Sequence, residues 1–159
     1  MKRLVWTLIL PLTVISFSAF TKWWYVLPVD TPDTMMSGFP LPYVCDGWHT
    51  SLSLQIFFIE LCIDLVTYFA FWFIVIFIIN RIISKIKINK IVTLLLLSIS
   101  GILTAGLILI AANSTNLYYL KRPFDIEVLT TGYKFIWEGN PRPDNFDFDK
   151  YEQNKKHIK

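Results

Sequence analysis

Residues 52–80 read LSLQIFFIELCIDLVTYFAFWFIVIFIIN, and this stretch decides the fold. Its second half, from Phe69 to Ile79, contains no polar side chain. A run of about 20 apolar residues is long enough for a helix to cross the hydrocarbon core of a bilayer. About 28 residues rising 1.5 Å each would extend about 42 Å, which exceeds that core. We therefore predict a transmembrane helix over 52–80 that tilts or projects into the headgroups.

Two further apolar segments predict two more spans, over residues 91–112 and about 4–24. The N-terminal segment ends in Trp23-Trp24-Tyr25, which is typical of the aromatic belt at a membrane interface. A basic start before an apolar run also describes a cleavable signal peptide. The bulky Phe20 and the aromatic flank favour retention of this segment, and either outcome places residue 21 onward on the outer side.

The composition also indicates a membrane protein. Hydrophobic residues make up 54% of the 159 residues and charged residues only 17%, whereas soluble domains carry about 25% charged residues. The net charge of +3 is too small to indicate a nucleic-acid partner. The lipid bilayer is therefore the predicted environment.

The distribution of basic residues predicts the orientation of the spans. Two Lys or Arg residues precede residue 4 and four lie in the inner loop 81–90, whereas the outer loop 25–51 has none. Cytoplasmic loops are enriched in Lys and Arg, so the N-terminus should lie inside and the C-terminus outside. This topology favours the inner membrane of a bacterium as the location.

The outer segments should contain the structure that is not helical. The proline-rich, aromatic loop 25–51 predicts an ordered loop on the membrane surface. In residues 113–159, two alternating segments flank Thr130-Thr131-Gly132, which predicts a small β-hairpin followed by a flexible tail. The predicted fold class is an all-α membrane protein, in which residues 1–112 form a three-helix transmembrane domain and a small hairpin lies outside.

Two carboxylates inside the longest span are the sharpest candidate for a functional site. Glu60 and Asp64 are four residues apart and share one helix face, which Thr67 continues. Ionisable residues within a span are costly against lipid and mark a functional site by default. They form either a proton, ion or substrate site, or a structural network that bonds to neighbouring helices or to the outer loop. Matching depths along the spans gives the candidate partners Thr104, Thr13 and Ser16.

Cys45, Asp46 and His49 precede the same span and are residue types that bind metals. A lone Cys-x-x-x-His spacing lacks the paired ligands of structural zinc sites, so it predicts a metal site only weakly. A turn at Asp46-Gly47 is the favoured interpretation. We predict no cofactor, and we expect Cys45 and Cys62 to be free thiols because they lie in different environments.

The segment 91–112 carries Gly101 and Ala105 in small-x-x-x-small spacing, with Ser98 and Ala112 near the same face. Small residues let two helix backbones approach closely within a membrane. The pattern therefore predicts a helix-packing face.

No catalytic signature accompanies these features: the sequence has no phosphate-binding glycine loop, no serine nucleophile elbow and no HExxH. We therefore expect an accessory or partner-binding subunit, with a membrane-protein partner or a homo-oligomer, rather than an enzyme. The first alternative is a proton- or cation-coupled transport component that uses Glu60 and Asp64. The second is a membrane enzyme with an outer-face site near His49, which would require His49 within reach of Glu60.

Overall fold

The computed structural model describes residues 2–28, 33–47, 50, 52–83, 86, 89–135 and 137–138. This part of the chain contains three long helices: α1 (Lys2–Ala19), α2 (Phe58–Ile83) and α3 (Lys90–Ala111). Each helix is long and apolar enough to cross a membrane, so that prediction is confirmed as far as length and composition go. Helix α3 begins after Asn89, whose side-chain Oδ1 accepts a hydrogen bond from the Ile91 N–H at 3.1 Å and caps the first turn.

A six-stranded mixed sheet accompanies the helices. Its strands lie in the order β5-β4-β3-β2-β1-β6. Neighbouring strands run antiparallel, except for the parallel pair β4 and β5. Their bounds are β1 Phe20–Pro28, β2 Thr34–Ser37, β3 Val44–Asp46, β4 Leu54–Phe57, β5 Leu117–Tyr119 and β6 Ile126–Phe135.

The prediction of an all-α protein is therefore wrong. Helix α1 ends at Ala19, and Phe20 already has extended backbone angles, so residues 20–24 belong to β1 and not to the first span. Residues 54–57, predicted as the start of the longest span, form β4. Aromatic residues fit the pleated surface of a sheet at least as well as a membrane interface. The aromatic run of residues 20–25 was consistent with both structures.

The predicted C-terminal hairpin is also wrong, because Ile126–Phe135 forms one continuous strand. This strand pairs with β1 from Phe20↔Phe135 to Pro28↔Ile126, and the predicted turn at 130–132 lies inside it. A Cβ at Gly132 would lie 2.6 Å from the indole of Trp23 on β1. Glycine is thus required here by the close approach of a neighbouring side chain and not by a turn.

The sheet has an apolar core built from its first four strands. Val26, Met36, Cys45 and Phe57 are buried there, one from each strand. Partly buried side chains cover the edges of this cluster, namely Trp24, Tyr119, Phe124 and Ile126. Residues from both 20–57 and 117–135 thus complete a single sheet.

Helix α1 packs against both α2 and α3. The Tyr68 hydroxyl donates to the Phe20 carbonyl at 2.7 Å, and the Trp72 indole N–H donates to Ser16 Oγ at 2.8 Å. From Tyr68 to Trp72 the chain of α2 advances by four residues, while the partners go back by four residues from Phe20 to Ser16. Helices α1 and α2 therefore run antiparallel. The end of α1 continues into β1, and β4 leads into the start of α2, so both helices join the sheet at the same end.

Candidate functional site: a carboxylate anchor and an open helix face

Helix α2 buries its two carboxylates and leaves most of its apolar side chains exposed. The buried residues are Glu60, Asp64, Tyr68 and Ile76, which are spaced by multiples of four and form one stripe. The other faces carry exposed apolar side chains, including Val66 at 65% and Phe71 at 57% of their full exposure. A surface helix of a soluble protein shows the reverse arrangement. The pattern is expected for a helix whose surroundings are hydrocarbon.

Asp64 is completely buried and anchors the loop between β2 and β3. Its Oδ2 accepts a hydrogen bond from the Phe39 N–H at 2.5 Å, and its Oδ1 accepts one from the Leu41 N–H at 3.0 Å. Hydrogen bonds to an ionised carboxylate are about twice as strong as those between neutral groups. This one side chain therefore fastens α2 to the sheet.

The loop that Asp64 anchors is also fixed from the side of β1. The Gly38 N–H donates to the Lys22 carbonyl at 2.9 Å, and the Trp24 indole N–H donates to the Gly38 carbonyl at 2.9 Å. Gly38 has a φ of +149°, and a Cβ there would lie 2.0 Å from the Leu41 carbonyl oxygen. Only glycine fits this position without strain.

Tyr43 packs this loop against the helices. Its ring stacks on Phe17 of α1 with the centroids 5.3 Å apart. Burial, followed by the nearby Asp64 carboxylate, raises the pKa of Tyr43 above its ordinary value. Both effects disfavour the charged form of the hydroxyl, so Tyr43 stays neutral beside Asp64.

Glu60 is buried as well, but its hydrogen bonds are poorer. Its Oε1 accepts a long hydrogen bond of 3.4 Å from the Arg122 N–H. Its Oε2 has no hydrogen-bond partner among the described residues. Glu60 lies in the first turn of α2, where the helix dipole favours a negative charge. The two carboxylates therefore share a helix face but not an environment.

Both carboxylates lie beyond the end of α1. Tyr68 lies beside Phe20, so the residues of α2 that precede Tyr68 run alongside the sheet and those that follow run alongside α1. The 18 residues of α1 extend about 27 Å, close to the roughly 30 Å of a hydrocarbon core. Glu60 and Asp64 thus belong to the sheet end of α2.

Thr13 and Thr104, two of the predicted partners, bond elsewhere, as does Thr67, which continues the carboxylate face. The hydroxyls of Thr13, Thr67 and Thr104 donate to the carbonyls four residues earlier on their own helices, at 2.9, 2.8 and 2.8 Å. Such back-bonding satisfies a hydroxyl without a second helix. The sequence analysis named the outer loop as a possible partner but could not identify Phe39 and Leu41, because a backbone N–H leaves no residue-type signal.

The candidate metal ligands lie in different settings. Cys45 is buried in the sheet core, and burial raises the pKa of its thiol from an ordinary value of 9.0 to about 12. A thiol binds a metal as the thiolate, so this shift disfavours binding. Asp46 is exposed, and His49 lies outside the described residues. Within the described ranges, no three His, Cys, Asp or Glu side chains group closely enough to hold a metal.

Helix α3 has the most open surface of the three helices. Only 6% of its most apolar 18-residue stretch is buried. Ser100 is its one buried residue in the part of the chain described. Gly101 and Ala105, the centre of the predicted packing face, are both exposed. A Cβ placed at Gly101 or Gly106 would have no neighbouring atom within 4 Å.

A cavity of about 460 Å³ opens between α1, α2 and the sheet. Its walls come from residues between 15 and 20, residues between 67 and 72, and the rings of Phe39 and Phe135. Asp64 does not line this cavity.

Comparison with known proteins gives no relative: no family model matches the chain, and no curated protein or solved structure matches it. Function is therefore inferred from the geometry of the chain itself.

Proposed function

We propose that this chain is a three-span membrane protein that acts as an accessory or partner-binding subunit. It would present the small-residue face of α3, centred on Gly101 and Ala105, to a second membrane protein or to another copy of itself. The observation that carries the proposal is the open surface at Gly101, where a side chain would meet no atom within 4 Å.

The helix chemistry supports this interpretation. A glycine within a helix costs about 1 kcal/mol relative to alanine. No packing against the described residues offsets that cost at Gly101. A second helix that packs closely against the backbone would offset it, because small residues allow close approach and extensive van der Waals contact.

The carboxylates support a structural role better than a transport role. A transport site would place Glu60 and Asp64 toward a polar cavity or a subunit axis. Asp64 instead accepts two backbone hydrogen bonds in a closed contact with the loop after β2. An enzyme that uses His49 has no support from the described residues, because His49 lies outside them.

Two glycine-to-leucine substitutions test the proposal as a matched pair. Gly101→Leu fills the predicted face, whereas Gly106→Leu adds the same side chain about 140° around the helix, at a second position with open space. The full chain is crosslinked in its native membranes, extracted in mild detergent and separated by blue native electrophoresis.

We expect the wild type and Gly106→Leu to give the same complex, and Gly101→Leu to lower its yield at least tenfold. Equal yields from both variants would contradict the proposal. A wild type that runs as a single chain after crosslinking would contradict it as well.

A further inference from the structure

We infer that the cavity between α1, α2 and the sheet holds one acyl chain of an anionic phospholipid, whose headgroup contacts Lys22. This inference concerns a different surface from the α3 face, and it rests on the membrane placement of α1 and α2.

The wall of the cavity favours an apolar ligand. Four of its side chains carry polar atoms, and each already bonds within the protein. Trp72 donates to Ser16, Tyr68 donates to the Phe20 carbonyl, and Thr67 donates to the Ile63 carbonyl. The remaining wall consists of alkyl groups and aromatic rings. A ligand here gains hydrophobic contact without needing hydrogen bonds.

The position of the cavity identifies the kind of apolar ligand. It lies between two helices that are each long and apolar enough to cross a membrane. The half-exposed Phe71 and Phe135 stand at its rim. Its volume of about 460 Å³ falls within the 300–1,000 Å³ that is typical of ligand sites. The ligand most available at this place is the acyl chain of a neighbouring lipid.

Lys22 supplies the charge for the headgroup. Phe20 lines the cavity, and Lys22 is the next residue on the same face of β1, about 7 Å further from the helices. Its ammonium group lies 3.6 Å from the centroid of the Trp24 ring. Within the described residues Lys22 forms no ion pair. A lipid with its acyl chain along α1 and α2 would therefore place its phosphate on the sheet side, near this cation.

The aromatic rings beside the cavity fit the same orientation. Phe20 stacks on Tyr133, and Phe135 stacks on Trp137 with the centroids 4.7 Å apart. Tyr133 is 58% exposed and Trp137 is 72% exposed. Amphipathic rings of this kind concentrate at the level of lipid headgroups.

A photoactivatable lipid tests the site on the unmodified protein. The full chain is reconstituted in phosphatidylglycerol vesicles that contain a diazirine-labelled acyl chain, irradiated and digested for mass spectrometry. We expect the label to concentrate at least fivefold on residues 15–20 and 67–72, relative to exposed residues of α3. A label spread evenly over α2 and α3 would overturn the inference.

Two cavity-filling variants and one charge variant then define the ligand. Delipidated protein is titrated with phosphatidylglycerol or phosphatidylcholine and analysed by native mass spectrometry. Ala19→Phe and Thr67→Phe fill the cavity from opposite walls and should each lower the first binding event at least fivefold. Lys22→Gln should retain phosphatidylcholine binding and lose any preference for phosphatidylglycerol.

The controls separate this site from the α3 face. Leu109→Phe adds bulk at an exposed position of α3, and Gly101→Leu blocks the proposed partner surface; both should bind lipid as the wild type does. Wild-type lipid binding by Ala19→Phe and Thr67→Phe, each with an unchanged melting temperature, would overturn the inference whatever the state of the α3 complex.

Discussion

The sheet of this protein buries mainly apolar side chains, whereas helices α2 and α3 leave most of their apolar side chains exposed. Val26, Met36 and Phe57 are completely buried in the sheet, as expected for a domain surrounded by water. Among the described residues of α2, the one that is completely buried is Asp64. Apolar side chains of α3 are instead open, and Ile102 and Leu109 are 73% and 75% exposed. The sheet and these two helices thus differ in whether their apolar side chains are buried or exposed.

The difference is expected if the helices lie in lipid, as we propose, and the sheet lies in water. A contiguous exposed apolar surface in water marks an interaction site or an aggregation hazard. Next to lipid the same surface is neutral, because lipid tails are as apolar as leucine. Asp64 lies at the junction, where it fastens the helical part to the sheet.

The largest loss of stability is expected in the sheet core, and a matched variant of α3 makes it a test of this comparison. Met36→Ala empties space in the sheet core and should cost about 3 kcal/mol of unfolding free energy. Leu109→Ala removes an exposed side chain of comparable size from α3 and should change the stability by less than about 0.5 kcal/mol. Thermal unfolding in detergent, followed by circular dichroism, measures both. Equal losses would show that α3 is packed in a way the described contacts do not include.

A smaller effect is expected at the junction. Asp64→Asn keeps the shape of the side chain but replaces one acceptor oxygen with an N–H₂ group, which leaves a buried backbone N–H without a partner. The cost should be about 2 kcal/mol. Glu60→Gln is the matched control and should cost less than about 0.5 kcal/mol, since Glu60 accepts one long hydrogen bond. If Glu60→Gln proves the more damaging of the two, the assignment of Asp64 as the anchor is wrong.

Two glycines provide a third comparison between the regions. Gly132→Ala places a Cβ 2.6 Å from the Trp23 ring and should destabilise the sheet by about 1 kcal/mol. Gly106→Ala lies in open space on α3 and should stabilise the helix by up to about 1 kcal/mol. The sign of the change in melting temperature is the measurement, and a rise for Gly132→Ala would contradict the reported approach of Trp23.

The smallest effect on the protein concerns the thiol in the sheet. Burial raises the pKa of Cys45 in the folded protein from 9.0 to about 12. The stability that depends on a neutral Cys45 thiol is therefore fully present below pH 9. That contribution should decline as the pH rises from 9 to 12, because the unfolded chain ionises first. At pH 8 the folded protein should also contain far less Cys45 thiolate than an exposed cysteine would.

Alkylation measures this protection in a background that carries Cys62→Ser. Cys45 should react with N-ethylmaleimide at least a hundredfold more slowly than the exposed cysteine of an Asp46→Cys variant that also carries Cys45→Ser. Similar rates at pH 8 would show that the sheet core admits water.

How far the sequence predicts this structure depends on how local the signal is. Helix α3 was predicted at 91–112 and occupies Lys90–Ala111, because a long apolar run is a local signal. Strands β2 to β5 contain three or four residues each, too few to show an alternating pattern. Their pairing joins distant segments, such as Gln55 with Leu117, which no local pattern encodes.

The candidate site shows the same limit. The spacing of Glu60 and Asp64 predicts a shared helix face, and the structure buries both residues on α2. The sequence could not show that Asp64 accepts two hydrogen bonds from backbone N–H groups, whereas Glu60 accepts one long hydrogen bond and leaves its Oε2 without a partner among the described residues. Those differences depend on where distant segments of the chain fold.

The most direct test of the two media is the accessibility of spin labels to collision partners. Single nitroxides are attached at cysteines that replace Ile102 of α3 and Val128 of β6, both exposed, in a cysteine-free chain in vesicles. Apolar oxygen and a polar nickel chelate then relax each label according to its surroundings. We predict that the label at position 102 collides mainly with oxygen and the label at position 128 mainly with the chelate. Predominant collision with the chelate at both positions would contradict the placement of the helices in lipid.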